Sequence, residues 1–92
     1  MISLDARPKL APKVRLRVDR VSGQMLLLYP EKGLALNPTA AEICGLCTGE
    51  LAVREMIETL AARHGRSDAL ADEVHAFLQE LVDRNLLRGL EP

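Results

Sequence analysis

The sequence predicts an α+β domain of winged helix-turn-helix-like form, a three-stranded antiparallel sheet followed by three α-helices. Three observations carry this. Val14-Arg15-Leu16-Arg17-Val18 alternates apolar and basic with the period of a half-buried strand. From Ala40 onward, apolar residues recur at helical spacing instead. Between the two regimes stands Leu36-Asn37-Pro38, where Pro38 cannot donate to a ladder but suits the first turn of a helix, and Asn37 can cap that helix.

Taken in order, residues 1–12 contain Pro8 and Pro12 and no apolar period, so they read as an extended N-terminal arm free to move. Residues 13–92 then form a single domain. In its first strand Val14, Leu16 and Val18 share one face and Arg15 and Arg17 the other, and Ser22-Gly23 supplies a turn. Met25-Leu26-Leu27-Leu28-Tyr29 is apolar on both faces, as expected of a middle strand. Pro30-Glu31-Lys32-Gly33 turns the chain again, and Leu34-Ala35-Leu36 completes the meander as a sheet-edge strand. The first helix is expected from Pro38 or Thr39 to about Cys47, with Thr39 and Glu42 offering a capping box as an alternative to Asn37. Val53, Met56, Ile57, Leu60 and Ala61 form the stripe of a second helix that Gly65 stops. Ser67 caps a third and longest helix running through Leu70, Val74, Phe77, Leu78 and Leu81 to about Asn85, after which Leu86-Leu87 packs back on the domain.

Composition narrows the function. Hydrophobic residues make up 48% of the 92 residues with no Trp, one Phe and one Tyr, so the core is aliphatic and base stacking on aromatics is disfavoured. Residues 1–20 carry +4 and the remaining 72 carry −5, which makes the first strand basic and the helices acidic. The start, Met1-Ile2-Ser3-Leu4-Asp5, lacks the pattern of a signal peptide, and no stretch reaches the roughly 20 apolar residues of a membrane span, so a cytoplasmic chain is expected with no membrane partner.

Catalytic machinery is hard to assemble from these residues. Cys44 and Cys47 have the spacing of half a zinc site, but His64 and His75 lie on different helices and no second Cys pair completes four ligands; both sulfurs fall on an apolar stripe, so they read as buried small hydrophobes and no metal is expected. His64 suits the negative end of its helix, and His75, beside Val74 and Phe77, either flanks a groove or is solvated. Ser3, Ser22 and Ser67 are explained as arm, turn and cap residues, and there is no phosphate-cradling Gly loop. No catalytic residue and no cofactor are assigned, and the chain is read as a non-enzyme.

Two binding classes remain. The last two helices, arranged as a helix-turn-helix, fit a winged-helix DNA-binding regulator as the alternative reading. Their Glu55, Glu58, Asp68, Asp72, Glu73, Glu80 and Asp83 argue against a phosphate-facing surface and for no nucleic-acid partner. An edge strand stopped by proline leaves backbone donors and acceptors for an extended peptide.

Arg7-Pro8-Lys9-Leu10-Ala11-Pro12 before the basic strand, Leu36-Asn37-Pro38-Thr39-Ala40-Ala41-Glu42-Ile43, and Phe77-Leu78-Gln79-Glu80-Leu81 ahead of Leu86-Leu87 together resemble the pyrroloquinoline quinone biosynthesis protein D family. The similarity spans nearly the whole chain, and the segment ending in Thr39-Ala40-Ala41-Glu42-Ile43 is its most specific piece; the two cysteines are not part of the family pattern. The resemblance implies a peptide chaperone that binds the ribosomally made precursor peptide of the quinone cofactor. It further implies delivery of that peptide to a radical S-adenosylmethionine enzyme, which crosslinks a Glu and a Tyr within it. The peptide would be held as an added strand between the third strand and the third helix. Carried onto this sequence, the edge is Gly33, Leu34, Ala35, Leu36 and Asn37, and the helix wall comes from Val74, Phe77, Leu78 and Leu81. A proline-containing arm and an exposed edge also suit strand exchange, so a homodimer is compatible with the sequence.

Overall fold

The computed structural model describes residues 2–30 and 32–91. Met1, Glu31 and Pro92, which belong by sequence to the arm, the second turn and the end of the domain, lie outside the described residues. The elements are β1 (Lys9–Leu10), β2 (Arg15–Val18), β3 (Met25–Tyr29), β4 (Lys32–Leu36), α1 (Pro38–Gly45), α2 (Val53–His64), α3 (Asp68–Asp83) and β5 (Leu87–Arg88). Strands β2, β3 and β4 form the expected three-stranded antiparallel sheet in that order, with the three helices after it. A second sheet pairs β1 with β5.

The main sheet has two unlike faces because side chains alternate along each strand. Leu16 lies opposite Leu27, and Leu27 opposite Leu34; Met25 lies opposite Leu36. These residues face the helices and join the core, with Leu27 and Leu36 buried. On the other face Arg15 lies opposite Leu28 and Leu28 opposite Gly33, while Arg17 lies opposite Leu26 and Leu26 opposite Ala35. The turn between β2 and β3 is built by Asp19, whose carboxylate accepts from the Val21 N–H at 3.0 Å and the Ser22 hydroxyl at 3.1 Å. Those bonds hold the Asp19 carboxyl below its ordinary range. Gly23 closes the turn at φ 77°. Tyr29 pairs with Lys32, so β4 starts earlier than the sequence suggests, and Lys32 and Gly33 belong to the strand rather than to the turn.

Helices α1 and α3 start where a side chain can accept a free N–H group. Asn37 Oδ1 accepts from the Ala40 N–H at 2.8 Å, and Ser67 Oγ from the Leu70 N–H at 3.1 Å. The Thr39–Glu42 alternative is not used, because Glu42 reaches across to α2 and meets His64 at 2.5 Å and Arg63 at 3.4 Å. Helix α1 ends at Gly45, short of the expected Cys47, and Cys47 instead follows the last turn, where its thiol donates to the Ile43 carbonyl at 3.3 Å. Helix α3 ends at Asp83 rather than about Asn85, which takes the left-handed conformation at φ 62°.

The first residues differ most from expectation. They run extended, but they are a packed strap rather than a free arm: Ile2, Ala6, Pro8 and Ala11 are buried. The strap satisfies groups the rest of the chain leaves open. Ala52 has no side chain able to cap α2, and the carbonyls of Ala6 and Leu4 accept from the Val53 and Arg54 N–H groups at 2.9 and 3.1 Å. The Arg7 N–H donates to Gly89 at 3.1 Å and that of Ala11 to Leu86 at 2.9 Å, on either side of the β1–β5 pairing. Beneath the strap, Ile43, Val53, Met56, Leu60, Val74, Leu78 and Leu81 form the fully buried aliphatic centre.

Candidate functional site

The hydrogen-bond phase of the sheet decides which backbone groups β4 leaves free. Asp19 N–H donates to the Gln24 carbonyl at 2.7 Å, so this pair is of the hydrogen-bonded kind, and bonded and non-bonded pairs alternate along an antiparallel ladder. Leu26 and Leu28 consequently point their backbone groups at β2, and Met25, Leu27 and Tyr29 point theirs at β4. There they meet Leu36, Leu34 and Lys32. Gly33 and Ala35 are left with N–H and C=O directed away from the sheet, at an edge that no described strand covers. Both residues are exposed. Pro38 at the first turn of α1 ends this edge abruptly.

Helix α3 meets the hairpin at one end and the start of α1 at the other. At one end, Arg84 donates to the Tyr29 hydroxyl at 3.2 Å, tying the C-terminal end of α3 to the β3–β4 hairpin. At the other, Thr39 lines an open concavity of about 430 Å³ with Leu70 and Glu73 of α3 and with His64 and Ser67. Glu73, Phe77 and Arg84 lie on one flank of α3 by helical spacing, with its Arg84 end at the β3–β4 hairpin and its Glu73 end beside Thr39 in the first turn of α1. Phe77, half-buried against the core, sits between them.

The residues predicted for the site thus divide. Gly33 and Ala35 offer the open backbone; Leu34 is half-buried and packs on the core from the inner face. Leu36 is buried, and Asn37 is occupied as a cap, its side chain accepting from Ala40 and its carbonyl from Ala41. On the helix only Phe77 is available, since Val74, Leu78 and Leu81 are fully buried and fill the core. Thr39, Leu70, Glu73 and Arg84 also border this region, though the sequence did not assign them to the strand edge or the helix wall. The signal for the last two was present: 73, 77 and 84 continue the flank that begins at Phe77. His75 lies on the opposite flank, toward Gln79, whose side chain accepts from the Ile2 N–H at 3.2 Å.

Chemically, this arrangement can pair with another extended backbone beside an apolar side chain. It carries no strong charge of one sign, because Arg84 stands 3.6 Å from Glu80 on the same helix. Cys44 and Cys47 are free and buried, and burial pushes both thiols up to about 12, with the neighbouring Cys44 adding to the effect on Cys47. Neither is a nucleophile at neutral pH. Among the described residues no cluster of three or more His, Cys, Asp or Glu could hold a metal ion, and no helix is long and apolar enough to cross a membrane.

Comparison with known proteins points in one direction. Residues 24–87 match the family model "Coenzyme PQQ synthesis protein D (PqqD)". A PqqA binding protein of Rhodopseudomonas palustris (strain HaA2) is 36% identical over 87 residues, covering 94% of this chain and 85% of the relative. One from Rhizobium meliloti (strain 1021) is 34% identical over 88 residues, covering 95% and 90%. Among solved structures, the PqqD portion of Methylobacterium extorquens PqqCD matches with a TM-score of 0.80 and 26% identity, covering 96% of this chain and 95% of that one. It is described as a functional, stand-alone recognition element for ribosomally synthesised and post-translationally modified peptides. TbiB1, solved with the TbiA(beta) leader peptide, shares the fold at a TM-score of 0.72 and 17% identity, covering 91% of this chain and 99% of that one.

Proposed function

This chain belongs to the coenzyme PQQ synthesis protein D family, and from that membership we propose that it is a non-catalytic peptide chaperone in pyrroloquinoline quinone biosynthesis. It binds the precursor peptide as an added strand along β4 and presents it to a radical S-adenosylmethionine enzyme, which performs the Glu–Tyr crosslink. The observation that carries the reading is the free edge of β4, where Gly33 and Ala35 turn their backbone groups outward. Main-chain pairing supplies affinity that tolerates sequence, and apolar side chains between strand and helix select alternate residues of the peptide. Presentation raises the effective concentration of peptide at the enzyme without adding a chemical step.

The test is a titration of isotopically labelled protein with the precursor peptide. Amide shifts are expected at residues 33–37 and along the Phe77 flank of α3; shifts confined to β2 would overturn the assignment of the edge. Crosslinked product measured by mass spectrometry, with and without this chain at low peptide concentration, tests the presentation role. Equal yields would remove it.

A further inference from the structure

A pocket of about 310 Å³ lies where the strap, the β3–β4 turn and the turn after α3 meet, and none of its lining residues belongs to β4. Pro12, Val14, Tyr29 and Leu86 give it apolar walls. Backbone bonds set its sides: the Val14 N–H donates to the Ala11 carbonyl at 2.9 Å, and the Ala11 N–H to the Leu86 carbonyl at 2.9 Å. Tyr29 is held as well, because its hydroxyl accepts from Arg84 at 3.2 Å. The pocket is thus formed before anything enters it. Its charge is of one sign. Lys13 and Arg88 line it, and among the described residues no acidic one does. Arg88 uses one N–H on the Leu87 carbonyl at 3.1 Å, and neither cation forms a salt bridge among the described residues, whereas Arg54, Arg63, Arg66 and Arg84 each pair with a carboxylate.

We propose that this pocket is a binding site for a small planar aromatic acid carrying two or more carboxylates. Its ring lies against Val14, Tyr29 and Leu86, and its carboxylates meet Lys13 and Arg88. The chemistry of the lining selects this class. A neutral apolar guest would leave both cations without a counter-charge, and an aliphatic polyacid would set charged groups against apolar walls. An aromatic acid satisfies both demands, since its ring is buried while ring-borne carboxylates stay near the ring plane and reach the rim. There the guanidinium can donate two parallel N–H bonds to one carboxylate, and the ammonium can neutralise another. The proposal does not rest on the strand-addition reading of β4.

The experiment titrates isotopically labelled full-length protein with four probes: a naphthalene dicarboxylate, the neutral dicarboxamide of the same shape, citrate, and pyrroloquinoline quinone, itself an aromatic polycarboxylate. Saturable amide shifts are expected at residues 11–14, 29–30 and 85–88 with the two aromatic acids. The dicarboxamide and citrate should each bind at least about tenfold more weakly. Tighter binding of the quinone than of the naphthalene acid identifies the ligand as the product of the pathway, and the reverse order identifies it as a smaller aromatic acid. Two double variants, verified as folded by circular dichroism, locate the charge. K13Q/R88Q should lower affinity for the naphthalene dicarboxylate by about tenfold or more, and R15Q/R17Q, which removes two cations outside the pocket, should leave it within about twofold. Equal binding of the neutral dicarboxamide overturns the proposal, and so do equal losses in the two double variants. Shifts that fail to saturate, or that scatter over surface cations, overturn it without any variant.

Discussion

At the scale of single residues, the two cysteines show how far a local pattern can be trusted. Their place on an apolar stripe was legible in the spacing of Ala40, Ile43 and Cys44, and all three are buried. Cys47 is buried for a different reason, as it follows the helix and is held by its bond to the Ile43 carbonyl. Replacing both with Ala should cost about 1–3 kcal/mol of stability through lost packing, read from denaturant midpoints, with peptide affinity unchanged. Their titration gives a second check. Both folded-state pKa values lie above the ordinary 9.0, so the stability from neutral buried thiols is complete below about pH 9 and is lost as pH rises toward about 12. Wild type should lose more stability across that window than the double Ala variant. Gly89 was not legible at all, because its neighbour is remote in sequence. It sits at φ 72°, and a Cβ there would lie 2.4 Å from the Arg7 carbonyl oxygen. Gly89→Ala should therefore destabilise by more than about 2 kcal/mol in thermal or chemical denaturation, far beyond an ordinary surface change.

Elements were more legible than their partners. Alternation placed β2 and β3, and Asn37 and Ser67 placed the starts of α1 and α3, since these depend on neighbours within a few residues. Which side of β4 remains open could not be read, because that depends on a hydrogen-bond phase set by the Asp19–Gln24 pair in another hairpin. The helix wall failed for a related reason: Val74, Phe77, Leu78 and Leu81 are equally apolar, and only packing separates the three core residues from Phe77. The phase makes a sharp prediction about two adjacent positions. Ala35→Pro removes an outward N–H and should weaken peptide binding by about tenfold, near the worth of one hydrogen bond, while the chain stays folded. Leu34→Pro removes a bond to β3 and disturbs an inward side chain, so it should destabilise the fold by more than about 2 kcal/mol. Calorimetry and circular dichroism on the pair distinguish the two roles; equal effects would place the phase wrongly.

At the scale of the whole molecule, the sequence showed one small aliphatic domain with a basic front and acidic helices, and the structure assigns the two charges to different surfaces. Peptide binding at the apolar edge should depend on salt only weakly, whereas a DNA-binding winged helix would lose affinity steeply between low and moderate salt. A titration at two ionic strengths separates them. What the sequence concealed was the strap, because its partners are the C-terminal strand, the turn after α1 and the start of α2, none of them nearby in the chain. Deleting residues 2–8 should strip α2 of its caps and expose the core, lowering the thermal midpoint sharply or abolishing cooperative unfolding. The same clasp has a consequence for how the protein is made. Strand β1 is translated well before its partner β5, so the closing contact cannot form until Leu87 and Arg88 have cleared the exit tunnel. Until then the β4 edge stands on a domain whose clasp is still open. Stalled nascent chains ending before Leu87 should be protease-sensitive, and those extended by a linker long enough to clear the tunnel should not.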